Sequence, residues 1–134
     1  MSTVRHERMN VTAPEAVVSV RQQVREFAID ARLSLVDQTK LITAASELAR
    51  NMVVYGGGGT VLIEHCEDGG RSGVRITFED KGPGIPDIAL ALRDGYTSGG
   101  GLGLGLGGAK RLVTDFEIES KAGEGTKIVI ARWK

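Results

Sequence analysis

Residues 74–86 read Val-Arg-Ile-Thr-Phe-Glu-Asp-Lys-Gly-Pro-Gly-Ile-Pro, an alternating stretch that runs into a glycine-rich turn. Val74, Ile76 and Phe78 fall on one face of an extended chain, which predicts a strand that is buried on one side only. Asp80 continues the phase of these apolar residues, so its carboxylate is expected to point under the layer that covers the strand. A buried carboxylate is costly unless it is hydrogen-bonded. We therefore interpret Asp80 as a fixed acceptor for an N–H donor of a ligand, and the alternative is an ordinary turn with an Asp cap.

The rest of the chain supplies further half-buried strands together with amphipathic helices. The segment before residue 74 is a second strand joined to the first by a turn at residues 67–73, which predicts a β-hairpin. Capping boxes that begin at Thr12 and Ser34 predict helix starts ahead of apolar residues at helical spacing. The predicted strands are residues 3–9, 60–66, 74–79, 116–119 and 126–133, and a third short helix is predicted at residues 109–114. Strands with one apolar and one polar face indicate a two-layer α+β sandwich, with helices on one face of a mostly antiparallel sheet.

The composition is that of one globular domain covering residues 1–134. Hydrophobic residues make up 41% of the chain and charged residues 25%, both ordinary for globular proteins. Seventeen basic side chains balance seventeen acidic ones, which argues against nucleic acid and membrane surfaces as partners. Cys66 is the one cysteine, so no internal disulfide is possible, and the first residues lack the apolar core of a signal peptide. We therefore expect a cytoplasmic protein.

Glycine is concentrated in one region, since ten of the 19 glycines lie between Gly82 and Gly108. Gly82 and Gly84 allow the chain to turn sharply after Asp80 with another molecule close by. Further on, residues 98–108 are rich in glycine, so their backbone N–H groups are not covered by side chains. This stretch leads into a predicted helix, which favours an anion-binding site. A disordered loop is the alternative, against which the interleaved leucines count. The dinucleotide pattern G-x-G-x-x-G also occurs in this run, but the parallel strand–helix unit that it requires is missing.

Two polar residues lie beside the apolar stripe of the second predicted helix. Glu47 and Asn51 are four residues apart and are therefore neighbours on the helix surface. Their position suits groups that line a cleft, although a solvated Glu and an Asn near a helix end are the commoner situation for either residue alone. Thr126 is a comparable case on the last predicted strand, because it shares the phase of Ile128 and Ile130 and so faces the helix layer. The alternative there is an ordinary β-branched strand residue after a glycine turn.

Four motifs, taken together and in this order, resemble those of the GHKL ATPase superfamily of gyrase, heat-shock chaperone ATPases, histidine kinases and mismatch-repair ATPases. Residues 47–51 match the N-box, E-x-x-x-N, and residues 80–84 match the G1 box, D-x-G-x-G. Residues 101–105 match the G2 box, G-x-G-x-G, and residues 125–126 match the closing Gly-Thr. Each motif alone is weakly specific, whereas the ordered set is a strong signal. The resemblance implies a single GHKL domain with the Bergerat-type ATP-binding fold.

The resemblance also implies ATP and Mg²⁺ as cofactors and a role for individual residues. Asp80 would accept the adenine amino hydrogen, with Thr126 supporting the same edge of the base. Asn51 would hold Mg²⁺ against the phosphates, and Glu47 would act as general base on a substrate serine hydroxyl or would position it. The other nucleotide-binding residues that the resemblance implies are Gly82, Gly84, Ile85, Gly101, Leu102, Gly103, Leu104 and Gly105.

Within the superfamily, the chain is similar to small bacterial serine kinases that regulate sigma factors. The similarity is carried by residues 46–51, 80–88, 94–96 and 101–103. Related anti-sigma factors usually have a His-Ala pair shortly after the N-box Asn, whereas residues 52–55 read Met-Val-Val-Tyr here.

The similarity to these kinases implies a switch kinase of the stressosome type in stress-response signalling. Such a kinase phosphorylates a STAS-domain partner and controls a downstream phosphatase, of PP2C type, or a sigma-factor pathway. Two alternatives stay open. One is a nucleotide-gated anti-sigma factor that sequesters a sigma factor, and the other is an adenine-nucleotide-binding module without transfer activity.

Overall fold

The fold is described from a computed structural model, for residues 1–85, 88, 92 and 105–134. The elements in chain order are β1 (Ser2–Val11), α1 (Pro14–Asp30), α2 (Leu35–Gly56), β2 (Gly59–Asp68), β3 (Arg71–Asp80), α3 (Gly105–Arg111), β4 (Asp115–Lys121) and β5 (Gly125–Trp133). Within the described ranges, no helix combines the length and apolar character that crossing a membrane requires.

The strands form one antiparallel sheet in the spatial order β1-β2-β3-β5-β4. β2 and β3 are the predicted hairpin, and each strand extends beyond its predicted limits. The hairpin turn is shorter than residues 67–73, because Gly69 and Gly70 adopt φ of 58° and 85° and reverse the chain in two residues. β5 enters between β3 and β4, so the strand that comes last in chain order is interior to the sheet.

Helices α1 and α2 cover one face of the sheet and enclose the core. On that face Val61, Ile63 and Ile76 are completely buried. Each such side chain contributes about 1.5–3 kcal/mol by leaving water. The helices contribute the buried apolar residues Val20, Val24, Phe27, Ala28, Leu41, Ala44, Ala45, Leu48, Ala49 and Met52. This arrangement confirms the predicted α+β sandwich with helices on one side.

The two long helices differ in how well the capping pattern predicts their starts. Ser34 caps α2 as predicted, since its Oγ accepts the backbone N–H of Asp37 at 3.1 Å. The capping prediction for Thr12 is wrong, because Ala13 is the N-cap of α1 and no side chain caps this end. Pro14 opens the helix, where its missing N–H leaves one group fewer to satisfy.

The short helix after the glycine-rich region begins earlier than the sequence predicts. α3 covers Gly105–Arg111 instead of residues 109–114. Leu106 and Ala109 are buried in the core, and α3 lies against α2. Burial of these side chains outweighs the low helix propensity of the glycines between them.

An ion pair joins the start of α2 to the end of β5. Arg132 Nη2 and Nε donate to Oδ1 of Asp37 at 2.7 and 3.1 Å, and Arg132 Nη1 donates to the carbonyl of Leu112 at 3.1 Å. The hydrogen bonds from Arg132 hold the pKa of Asp37 below its ordinary value. One guanidinium therefore fastens the first turn of α2 and the residue after α3 to the sheet.

Candidate functional site

Three polar side chains form a row across the ends of β3, β5 and β4, which we call the polar row. Asp80 pairs with Thr126, and Thr126 pairs with Ser120. The next two rows toward the core, on the same face of the sheet, are Phe78, Ile128 and Ile118, followed by Ile76, Ile130 and Phe116. All three polar residues are half-buried. The polar row therefore borders the core on one side, and its side chains stay partly accessible.

The carboxylate of Asp80 is fixed by its neighbours. Its Oδ1 accepts the backbone N–H of Gly82 at 2.9 Å, which closes an Asx turn at the end of β3. Its Oδ2 lies against the last residue of α2, where a Cβ on Gly56 would be only 2.6 Å from it. The sequence predicts only that the glycine run from Gly56 ends the helix, and the structure adds that a side chain here would displace Asp80. Oδ2 receives no hydrogen bond from the described residues, so an oriented acceptor is left over.

The turn after Asp80 runs closely between α2 and the turn that joins β4 to β5. A Cβ on Gly82 would lie 2.7 Å from Cα of Gly56, and a Cβ on Gly84 would lie 2.3 Å from the carbonyl oxygen of Lys121. Gly84 also has a φ of 79°, which favours glycine. The sharp turn that these glycines predict is present, and what comes close to them is the backbone of the protein itself.

Ser120 is a residue of the candidate site that the sequence analysis misses. Its Oγ accepts the backbone N–H of Ile85 at 2.7 Å. The same oxygen lies 2.8 Å from Oγ1 of Thr126 and 3.2 Å from the carbonyl oxygen of Gly125. Ser120 shares the phase of the apolar residues of β4, and that alternation is the signal that could have revealed it. Through Ser120, the loop that carries Ile85 is tied to the same strand ends as Thr126.

Glu47 and Asn51 lie one turn apart on α2, as predicted. Glu47 is 8% exposed, and its buried Oε2 has no hydrogen-bond partner among the described residues. Nη2 of Arg50 lies 3.6 Å from Oε2, close enough for charge pairing but too far for a hydrogen bond. Asn51 is half-buried. A buried carboxylate oxygen without a hydrogen bond is costly, so this position suits a proton donor or a cation that arrives with a ligand.

The two acidic residues lie at opposite ends of an elongated site. α2 runs from Glu47 to Gly56 beside Asp80, a distance of about 14 Å at 1.5 Å per residue. The carboxylates therefore do not share one proton or one ion. In the part of the chain that is described, no group of three or more His, Cys, Asp or Glu side chains could hold a metal.

Most of the predicted G2 box lies outside the described residues, namely Gly101, Leu102, Gly103 and Leu104. Gly105 is described and begins α3 with a φ of 43°. The predicted motif is therefore represented by its last glycine, at the start of a helix that lies against α2.

Comparison with known proteins relates the chain to one family model and to several curated proteins. Residues 36–134 match the model described as histidine kinase-, DNA gyrase B-, and HSP90-like ATPase. The chain is 47% identical over 117 residues to the serine/threonine-protein kinase RsbT of Bacillus subtilis (strain 168), which covers 87% of this chain and 88% of the relative. It is 33% identical over 101 residues to the anti-sigma F factor of Clostridium beijerinckii, covering 67% and 66% of the two chains. It is 31% identical over 121 residues to the anti-sigma F factor of Clostridium acetobutylicum, covering 84% and 81%.

Solved structures share the fold at low sequence identity. The crystal structure of the RsbU and RsbW domains of Rv1364c from Mycobacterium tuberculosis matches with a TM-score of 0.67 and 21% identity. The match covers 98% of this chain and 33% of the other, so the chain spans about a third of that structure. The mycobacterial sensor histidine kinase MprB matches with a TM-score of 0.55 and 22% identity, covering 96% and 97%. Both likenesses concern the fold, and they agree with the predicted helix layer over an antiparallel sheet.

Proposed function

Because the chain belongs to the histidine kinase-, DNA gyrase B- and HSP90-like ATPase family, we propose that it binds ATP along α2 and transfers the terminal phosphate to a serine of a partner protein. The observation that carries this proposal is the buried Oε2 of Glu47, which lacks a hydrogen bond and lies at the opposite end of the site from the fixed carboxylate of Asp80. The RsbT relative, 47% identical over most of both chains, confirms the predicted enzyme class, a protein serine/threonine kinase.

The Asp80 end of the site is proposed to bind adenine. The exocyclic amino group of adenine carries N–H donors, and Oδ2 of Asp80 is an acceptor without a donor among the described residues. Thr126 pairs with Asp80 across the sheet and offers a hydroxyl to the same edge of the base. The Gly82 N–H already holds Oδ1, so the base meets a carboxylate that needs no reorientation.

The Asn51 end of the site is proposed to hold Mg²⁺ and the phosphates. The amide oxygen of Asn51 is a hard donor, and Mg²⁺ in nucleotide sites commonly takes one or two protein ligands in addition to phosphate oxygens and water. The residues present fit this role, because Asn51 is half-buried one helical turn from a carboxylate oxygen that makes no hydrogen bond to the described residues. Bound Mg²⁺ would neutralise charge on the phosphates. Residues 101–105 are expected to cover the phosphates with backbone N–H groups, which stays a prediction.

Glu47 is proposed to receive the proton of the substrate serine. A general base must lie within hydrogen-bond reach of the proton that it accepts, and Oε2 makes no hydrogen bond to the described residues, with Nη2 of Arg50 at 3.6 Å. As the serine oxygen attacks the terminal phosphorus, its proton passes to Oε2, the bond to the bridging oxygen of ATP breaks, and ADP leaves. Arg50 offsets the carboxylate charge from 3.6 Å without taking the position of the serine.

The partner in this proposal is a STAS-domain protein, and the output is control of a PP2C-type phosphatase in stress-response signalling. Similarity to RsbT over 88% of that relative supports a kinase in a regulatory pathway. A second candidate function is nucleotide-gated binding of a sigma factor. It is favoured by the two anti-sigma F factors, which are 33% and 31% identical to the chain.

One experiment separates these candidates. The purified protein is incubated with γ-labelled ATP, Mg²⁺ and candidate STAS-domain proteins, and binding of candidate sigma factors is measured in parallel with ADP and with ATP. We expect label on a serine of a STAS partner. Tight, nucleotide-dependent binding of a sigma factor without transfer to any STAS protein would contradict the kinase proposal and support sequestration instead.

A further inference from the structure

The hydroxyl of Ser120 is shared among three groups, and each constrains where its proton lies. The backbone N–H of Ile85, 2.7 Å from Oγ, can only donate to it. The carbonyl oxygen of Gly125, 3.2 Å away, can only accept from it. The hydroxyl of Thr126, 2.8 Å away, can do either.

One assignment of the hydroxyl protons satisfies all three contacts of Ser120. A serine hydroxyl has one proton to give and two lone pairs to receive with. If Ser120 gives its proton to Gly125, its lone pairs receive the Ile85 N–H and the Thr126 O–H. All three contacts are then satisfied at once. In this assignment the proton of Thr126 is donated to Ser120, and the lone pairs of Thr126 remain for a ligand.

We propose that Ser120 is a positioning residue that makes Thr126 an acceptor, and that the polar row thereby selects a 6-aminopurine over a 6-oxopurine. The inference rests on the proposed adenine site and adds the group that sets its selectivity. Asp80, paired with Thr126 on the other side, is an acceptor as well. The row therefore presents two acceptors side by side, which suits an amino group with N–H donors. A carbonyl oxygen in the same place meets lone pairs and finds no donor among the described residues, and polar groups left unpaired in this way are a strong source of discrimination between analogues.

The test compares ADP with IDP, which differ at position 6 of the base and at the adjacent N1 proton. Because their phosphates and ribose are the same, those contacts cancel in the ratio of the two affinities. Affinities are measured by calorimetry for the wild type and for Ser120→Ala, Ser120→Thr and Ser72→Ala. Ser72→Ala is the matched control, a serine at the far end of β3. We expect the wild type to prefer ADP. Ser120→Ala frees the Thr126 proton to donate, so the ADP preference should fall roughly tenfold, as for the loss of one oriented hydrogen bond. Ser120→Thr keeps a hydroxyl and should restore the preference.

The outcomes separate this inference from the function on which it rests. If the wild type binds neither nucleotide, the adenine site is wrong and the inference falls with it. If the wild type binds ADP but Ser120→Ala weakens ADP and IDP by the same factor, Ser120 has a structural role only and the inference alone is overturned. Should Ser120→Ala fail to fold, Thr126→Val removes the hydroxyl whose direction is at issue. An unchanged ADP:IDP ratio in that variant would equally overturn the inference.

Discussion

The two ends of the site along α2 differ in how completely their polar atoms are satisfied. At the Asp80 end, one carboxylate oxygen accepts the N–H of Gly82, which fixes the orientation of the other oxygen, and the hydroxyl of Ser120 contacts three neighbours. At the other end, Oε2 of Glu47 is buried and accepts no hydrogen bond from the part of the chain that the structure describes. The first end is built in advance, which suits recognition of a constant part of a ligand. The second end is left incomplete, which suits a group that is needed only when a reactant arrives.

The largest effect is expected at Glu47, on the rate of phosphate transfer. Glu47→Gln keeps the shape of the side chain but removes its capacity to accept a proton, so transfer to the partner serine should fall by about 10²–10⁴-fold. Binding of Mg-ATP should stay within a few-fold of the wild type. Transfer is followed by gel with labelled ATP, and binding by calorimetry. Glu15→Gln is the control, an exposed acid in the first turn of α1. Transfer by Glu47→Gln at the wild-type rate would place the base elsewhere.

A metal-site variant is expected to fail in both measurements. Asn51→Ala removes the amide oxygen proposed to hold Mg²⁺, so it should weaken Mg-ATP binding as well as transfer. Glu47→Gln differs, because it is expected to lose phosphate transfer while keeping Mg-ATP binding. A variant at Asn51 that binds Mg-ATP normally would remove the residue from the metal site.

At the Asp80 end of the site, a substitution is expected to lower the affinity for ATP. Asp80→Asn removes the charge that the amino group of adenine would meet, and the loss of a charge-assisted hydrogen bond costs about 1.5–3 kcal/mol. Calorimetry should therefore show ATP affinity lower by roughly 10- to 150-fold. Equal ATP affinity in the wild type and the variant would separate Asp80 from base recognition.

A smaller effect on ATP affinity is expected when a side chain is added at Gly56, next to Asp80. Gly56→Ala should favour the helix itself by up to about 1 kcal/mol, yet its Cβ would come within 2.6 Å of the Asp80 carboxylate. ATP affinity should fall roughly tenfold, as for one disturbed hydrogen bond, while the thermal midpoint is unchanged or raised. Val54→Ala, an exposed position on the same turn of α2, is the control. Lower affinity in both variants would point to the helix end as a whole.

The smallest effect on the site is expected from the Asp37–Arg132 ion pair, which is not part of the site. Arg132 lowers the pKa of Asp37 in the folded protein, so the pair stabilises the fold above the unfolded-state pKa of about 3.9 and ceases to do so as the pH falls through the folded-state pKa. Asp37→Asn should lower the free energy of unfolding by about 1 kcal/mol at pH 7. The difference from the wild type should shrink below about pH 4. Urea unfolding at pH 7 and pH 3 measures it. A difference of constant size would mean that the charge on Asp37 is not what stabilises α2.

The sequence predicts the fold well where the determining contacts are local or periodic. Alternation in β2 and β3 identifies the hairpin, and the hydroxyl of Ser34 identifies the start of α2. The predicted bounds of α3 are wrong because Gly105, Gly107 and Gly108 are poor helix formers, and only the packing of this segment beside α2 shows that it can be helical. Burial of that kind depends on residues far away in the chain, which local propensity does not report.

The site is predictable to the extent that its residues repeat a phase or match a motif. The phase of their strands predicts that Asp80 and Thr126 face the helices, and the structure pairs the two residues across the sheet. The sequence does not predict the role of Ser120 or the contact of Gly56 with Asp80, because both depend on which strands become neighbours and on how far α2 reaches. Alternation within one strand carries no information about its partner. The similarity of the chain to the ATPase family, in contrast, was predicted from ordered motifs and is confirmed.

The order of strands in the sheet bears on how the protein acquires its site during synthesis. β5 is made after the other strands, yet it lies between β3 and β4 and contributes Thr126. Until β5 has emerged from the ribosome, β3 has one unpaired edge, β4 has no neighbour, and Asp80 and Ser120 have nothing between them. Such long-range pairing is slow to form and leaves strand edges exposed in the meantime. The nascent chain therefore completes its five-stranded sheet, and with it the polar row, only when β5 has been made.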